Sequence, residues 1–258
     1  MNAPILVSLG RVGKVFANGV TALDGLDLDV REGDFLSLLG PSGCGKSTVL
    51  RLIAGLTEPT SGIVTWPGSS DADHRGEVGF VFQEPTLMPW ANVADNVWLP
   101  LRLRGVSRRE AKDRIAESLA LVRLEDFAKA YPRELSGGMK MRVSIARALS
   151  VRPRLLLMDE PFAALDEITR FKLNDDLLEA RRELNCTIVF VTHSVYESAY
   201  LSSRIAVLSP RPGRVVAEIA GASPWERSGD FRTSLAYSDL CRQASRALTS
   251  SMTGERLQ

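Results

Sequence analysis

Apolar and polar positions along the chain fall into short blocks of two kinds. Between Val20 and Val30, Leu23, Leu26, Leu28 and Val30 stand among polar residues, and an apolar run follows from Phe35 to Leu39. The first pattern predicts a half-exposed strand and the second a buried one. Further runs at Val78 to Phe82, Leu155 to Met158 and Thr187 to Val191 are short, β-branched or leucine-rich, with helical patterns between them. They predict the core strands of an α/β sheet. Val93 to Arg104 and Arg108 to Val122 have helical spacing, and Ser107-Arg108-Arg109-Glu110 has the form of a capping box at the start of the second. The middle of the chain has no strand signal, which predicts a helical subdomain over 86–149 inserted in an α/β core. A last strand is expected over Gly213 to Ile219. In the tail, 222–258, Phe231, Leu235, Leu240 and Leu248 stand at loosely helical spacing.

The apolar run ending at Leu39 leads directly into Gly40-Pro41-Ser42-Gly43-Cys44-Gly45-Lys46-Ser47-Thr48, a full G-x-x-x-x-G-K-[ST] pattern, and then into Val49 to Ala54. Strand, glycine loop and helix N-terminus in that order make a nucleotide-phosphate cradle, because backbone N–H groups and the helix dipole converge on an anion. Gly43 and Gly45 let the backbone approach phosphate oxygens, Lys46 reaches the β- and γ-phosphates, and the Ser47 hydroxyl can ligate Mg²⁺. A plain glycine-rich turn is the bland alternative.

A chain of 258 residues can bury a substantial core and reads as one domain, 1–258. Its formal charge of +1 with 24% charged residues provides no basic field that would make nucleic acid the default partner. Met1 to Val7 lacks a basic leader region, and no later segment approaches bilayer length, so a cytoplasmic chain that meets membranes only through a protein is expected. Cys44, Cys186 and Cys241 fit neither a disulfide framework nor zinc-ligand spacing. His74, in the polar segment Ser69 to Glu77, reads as a surface loop residue.

Leu155 to Met158 runs into Asp159-Glu160, placing two carboxylates at the carboxyl end of a buried strand, where α/β sheets bind ligands. Adjacent strand residues point to opposite faces, which would send Asp159 toward a Mg²⁺ shell and Glu160 toward an attacking water. A solvated acidic turn is the alternative. Leu135-Ser136-Gly137-Gly138-Met139 opens another helix with Ser136 as a natural N-cap. It is a second potential anion site or a plain capped helix.

With these motifs in this order, residues 5 to 220 resemble the ATPase subunit of an ATP-binding cassette (ABC) transporter. The matching parts are the phosphate loop Gly40 to Thr48, a glutamine loop at Gln83, the signature Leu135 to Met139 and the acidic strand end Asp159-Glu160. Ala164-Leu165-Asp166 matches a dimer-contact loop, and His193 in Val191-Thr192-His193-Ser194 matches a switch histidine. The resemblance implies a P-loop NTPase of ABC-ATPase fold, with an N-terminal antiparallel β subdomain and the inserted helical one. It implies a head-to-tail homodimer or pseudo-dimer holding two Mg-ATP, in which Ser136, Gly137 and Gly138 act in trans and Asp166 lies at the contact. Gln83 would sense Mg²⁺ and γ-phosphate, and His193 would hold the γ-phosphate. Phe16 sits where the family stacks an aromatic on adenine, although an aromatic there also serves as core. The family's signature usually ends in glutamine where this chain has Met139. Retained activity is still expected, because the Ser136, Gly137 and Gly138 donors remain.

Gln83-Glu84-Pro85-Thr86-Leu87-Met88-Pro89-Trp90, then Asn96-Val97, and Leu208-Ser209-Pro210-Arg211-Pro212-Gly213-Arg214-Val215 look like the nitrate, sulfonate and taurine importer branch. The partners this implies are integral membrane permease subunits and, indirectly, an extracytoplasmic solute-binding protein. The place is the cytoplasmic face of the inner membrane. Trp90 is either an apolar anchor at a docking surface or a core residue. An efflux or cell-division cassette, and a non-transport ATPase acting on nucleic acid, are the rival readings; a pure binding module is disfavoured by Lys46, Asp159, Glu160 and His193.

Overall fold

The computed structural model describes residues 3–67, 74–221, 227 and 229–253. The expected surface loop lies, for residues 69–73 and for the His74 side chain, outside the described residues, as do 222–226, 228 and 254–258 of the tail. In chain order the elements are β1 (Ile5–Val15), β2 (Thr21–Arg31), β3 (Phe35–Leu39), α1 (Lys46–Ile53), β4 (Ser61–Thr65), β5 (Val78–Val81), α2 (Val93–Leu103) and α3 (Lys112–Leu121). There follow α4 (Gly137–Leu149), β6 (Leu155–Asp159), α5 (Glu167–Leu184), β7 (Thr187–Thr192), α6 (Val195–Leu201), β8 (Arg204–Leu208), β9 (Val215–Ala220) and α7 (Leu235–Thr253). They form two compact units, Met1–Arg75 with Thr187–Gln258, and Gly76–Cys186. Among the described residues no helix is long and apolar enough to cross a membrane.

In the first unit, β2, β1 and β4 form an antiparallel sheet in that order. Buried residues on β1 and β2 break strict alternation: Leu9 and Val12, like Leu23 and Leu26, are three apart and all buried. The pairing shifts register at these places, and Arg11 and Gly25 take φ values of 46° and 62°. Each bulge inserts one residue, so both members of a pair face the core. Strands β7, β3 and β8 run parallel, and β9 closes the edge antiparallel to β8. Every residue of β3 and β7 is buried. Ser37 is tolerated in that core because Ser202 Oγ donates to its hydroxyl oxygen at 2.5 Å.

The tail helix α7 packs on Leu39, Ile205, Val207 and Ile219 through Leu240, Ala244 and Ala247. Leu235, one of the apolar residues at helical spacing, is 84% exposed. The buried stripe follows the 3.6-residue period through small alanines, which apolar bulk alone does not reveal.

In the second unit β5 and β6 pair in parallel, and from residue 82 to 154 the chain forms only helices and turns. The Ser107–Glu110 box does form: Ser107 N–H donates to the Glu110 carboxylate at 2.9 Å and Glu110 N–H to Ser107 Oγ at 3.3 Å. It closes a separate turn, and α3 begins only at Lys112.

Asn96 of α2 is fully buried and ties down the segment before it. Its Oδ1 accepts from Met88 N–H at 2.8 Å, while Nδ2 donates to the carbonyls of Met88, Ala91 and Asn92 at 3.2, 3.0 and 3.0 Å. This clasp holds Trp90 with 77% of its surface exposed, which overturns the core reading of that residue. Asn96→Ala leaves several backbone groups without their partner. It is expected to lower stability by about 2 kcal/mol, read from the urea unfolding midpoint.

Candidate functional site

The phosphate loop is built by the first unit. Strand β3 ends at Leu39, the chain turns through Gly40 to Gly45, and α1 begins at Lys46. Gly43 and Gly45 hold φ values of 75° and 107°, a region that side chains rarely tolerate. At Gly45 a Cβ would also stand 2.7 Å from Leu23 Cδ2 and 2.9 Å from the Ala22 carbonyl oxygen, so space and conformation both demand glycine. A Cβ at Gly40 would meet Cys44 Sγ at 2.9 Å, and buried Cys44 is the small side chain that fits beneath the loop.

No side chain caps α1, and its first turn carries no acidic residue. The N-terminus therefore keeps its amide donors and dipole for an anion. Ser42 is exposed, Pro41 and Ser47 are half-buried and Thr48 is buried. Lys46 is only 4% exposed, and its Nζ donates to the carbonyls of Gly40 at 2.8 Å and Pro41 at 3.0 Å. The ammonium thus lies folded into its own loop, with its charge solvated by backbone dipoles.

At the same carboxyl end of the first unit's parallel strands, where Thr192 pairs with Leu39, His193 is exposed directly after β7. The turn that carries it is braced by residues the motif alone did not single out. Thr192 Oγ1 donates to the buried Glu197 carboxylate at 2.5 Å and accepts from Ser194 N–H at 2.9 Å. Ser194 Oγ caps α6 by accepting from Glu197 N–H at 3.3 Å. The S-x-x-E spacing of Ser194 and Glu197 is the signal that would have found this brace. Phe16 lies in the turn after β1, with its N–H donating to the Val20 carbonyl at 2.9 Å and Lys14 Nζ 5.6 Å from its ring centroid. At 38% exposure it is not core.

The second unit carries the carboxylates. Asp159 is the last residue of β6 and only 8% exposed. Glu160 is half-buried with φ 45°, outside the strand. The strand alternation expected to send the two side chains to opposite faces therefore stops at Asp159, and a left-handed residue follows. Gln83 is exposed just past β5.

Ser136 caps α4 as read, its Oγ accepting from Met139 N–H at 3.3 Å. Ser136 and Gly137 are exposed and Gly138 is buried. Gly138 also has a packing reason to be glycine, because a Cβ there would stand 2.9 Å from Thr169 Cγ2. Asp166 caps α5, accepting from Thr169 N–H at 2.9 Å and from its hydroxyl at 2.7 Å. These bonds hold its carboxyl below the usual range.

The profile of the ABC transporter family matches residues 23–163. The taurine import ATP-binding protein TauB of Rhizobium johnstonii is 44% identical over 220 residues, which cover 84% of this chain and 84% of that protein. The nitrate import ATP-binding protein NrtD of Synechocystis sp. is 44% identical over 214 residues, covering 83% and 80%. Among solved structures, the dimeric post-hydrolysis state of the ATP-binding cassette MJ0796 bound to ADP and Pi is 36% identical. It has a TM-score of 0.73 and covers 84% of this chain and 99% of that one. A phosphate cradle on an uncapped helix, in a chain that matches over this extent, has one reading: this protein belongs to the ABC transporter family as an ATP-binding cassette.

Proposed function

We propose that this chain is the ATP-hydrolysing subunit of an importer for a small anionic or organic solute of the nitrate, sulfonate or taurine type. The observation that carries the catalytic half is the cradle of Gly40 to Thr48 on the uncapped N-terminus of α1, with Lys46 folded into it. The names of the taurine and nitrate relatives support the importer half. In this reading 86–149 is the helical subdomain, and Trp90, held out by the Asn96 clasp, is its apolar anchor for a membrane permease.

The donor set suits Mg²⁺: the Ser47 hydroxyl, the Gln83 amide oxygen and the Asp159 carboxylate are all hard oxygen ligands. The described residues hold no cluster of three His, Cys, Asp or Glu that would form an all-protein cage, which suits an ion completed by phosphate and water. When bound, the ion neutralises charge across the β- and γ-phosphates. Lys46 and the loop amides bind and orient the triphosphate. Glu160 accepts a proton from the attacking water, and His193, on its braced turn, contacts the γ-phosphate.

Two cassettes pair head to tail, with Ser136, Gly137 and Gly138 of one facing the nucleotide of the other and Asp166 at the contact. Phe16, partly exposed, stacks on adenine. The complex is peripheral on the cytoplasmic face of the membrane, served by an extracytoplasmic solute-binding protein. Tagged protein purified from gently solubilised membranes of its native cell is expected to bring down a multi-span permease. Recovery with nucleic acid or ribosomes instead would replace the importer reading by a non-transport one.

A further inference from the structure

The stretch Leu208 to Val215 marks a branch in the sequence, yet nothing above gives it a task. It forms the turn between β8 and β9, beside the phosphate loop in the same unit. Ser209 N–H donates to the Arg214 carbonyl at 2.9 Å, Arg214 N–H to Ser209 Oγ at 3.0 Å, and Ser209 Oγ to the Pro212 carbonyl at 3.0 Å. The turn is also pinned to β2: Gly213 N–H donates to the Ala22 carbonyl at 2.9 Å, Asp24 N–H to the Gly213 carbonyl at 3.3 Å, and Arg214 pairs with Asp24. It presses on the loop so closely that a Cβ at Gly213 would stand 2.1 Å from the Cys44 carbonyl oxygen.

From this fixed turn Arg211 Nε donates to the Gly43 carbonyl at 3.0 Å, and its terminal nitrogen lies 3.0 Å from where a Gly43 Cβ would stand. We infer that Arg211 is a positioning residue for the phosphate loop, acting through the Gly43 carbonyl. The peptide that joins Gly43 to Cys44 is planar, so holding its oxygen also sets its N–H, which donates to the Pro41 carbonyl at 3.3 Å. The chain then leaves this plane toward Gly45 and the amides of α1. Glycine loses more backbone freedom on ordering than any other residue, and this loop carries three, at 40, 43 and 45. Arg211 removes part of that freedom before nucleotide arrives, which lowers the ordering cost of binding. The effect falls on affinity, and turnover at saturating ATP is left intact.

The inference rests on the reading of Gly40 to Thr48 as a phosphate loop, and one experiment separates the two. Full-length wild type, Arg211→Ala, Arg211→Lys and Lys46→Ala are titrated with a fluorescent ATP analogue, and thermal unfolding is followed without nucleotide. Arg211 is exposed, so its removal is expected to leave the fold in place. Arg211→Ala is expected to weaken binding about five- to tenfold, because nucleotide must then order the loop that Arg211 holds beforehand. The nucleotide-free midpoint stays unchanged, kcat is kept while KM rises, and Arg211→Lys recovers part of the affinity. Wild-type affinity in Arg211→Ala overturns the inference, and so does a fall in affinity matched by a fall in the nucleotide-free midpoint. Unweakened binding by Lys46→Ala overturns the phosphate-loop reading instead.

Discussion

Glu160→Gln is expected to lower ATP turnover by about 10²- to 10⁴-fold, the contribution of a positioned general base. The change keeps the shape of the side chain, but it turns one acceptor oxygen into an NH₂ donor and removes the charge that lets the group accept a proton. The left-handed backbone at Glu160, φ 45°, already tolerates a long side chain and is unaffected by the swap. ATP binding therefore persists, and a closed dimer that cannot hydrolyse its nucleotide accumulates. Steady-state phosphate release measures the first effect. Size-exclusion chromatography with Mg-ATP measures the second, where the variant elutes as a dimer under conditions that leave the wild type monomeric. Undiminished phosphate release would remove Glu160 from the base role.

Lys46→Ala is expected to weaken ATP binding by about 10²-fold, because it deletes charge-assisted bonds to phosphate in a site where no acidic residue of the first helical turn needs compensating. The nucleotide-free protein also feels the change. Lys46 Nζ satisfies the Gly40 and Pro41 carbonyls, and its removal leaves both acceptors to water. Isothermal titration with ATP reads the first effect and the thermal midpoint of nucleotide-free protein the second. Lys46→Arg is a useful companion, since it keeps the charge but puts a planar fork where a compact ammonium fits between two carbonyls.

Much of the site was legible because its chemistry is local. A phosphate loop needs a strand, glycines and a helix start within a dozen residues, and Gly40 to Thr48 supplies them in order. Ser136 reads as an N-cap from its neighbours alone and caps α4 through Met139 N–H. The runs at Val78, Leu155 and Thr187 each became a strand within one residue of where the pattern begins. Strand β8, between Arg204 and Leu208, escaped because its short apolar run follows directly on helix α6.

Other positions depended on backbone turns and side-chain bonds that the apolar and polar pattern does not show. Asp159 and Glu160 were expected to diverge by strand alternation, but the strand ends at Asp159 and a left-handed residue follows. Trp90 fitted core and surface equally until the Asn96 clasp fixed it outward. Asp166, read from the motif as a dimer-contact residue, is the N-cap of α5 in the structure.

The sequence by itself determined the family, the phosphate cradle and the order of its motifs, because each is written in residues within one turn or one strand. The tertiary structure alone decided that Arg211 reaches Gly43 across 168 positions and that Gly138 makes room for Thr169. Such contacts depend on how separate elements pack, and no local propensity encodes the distance between them.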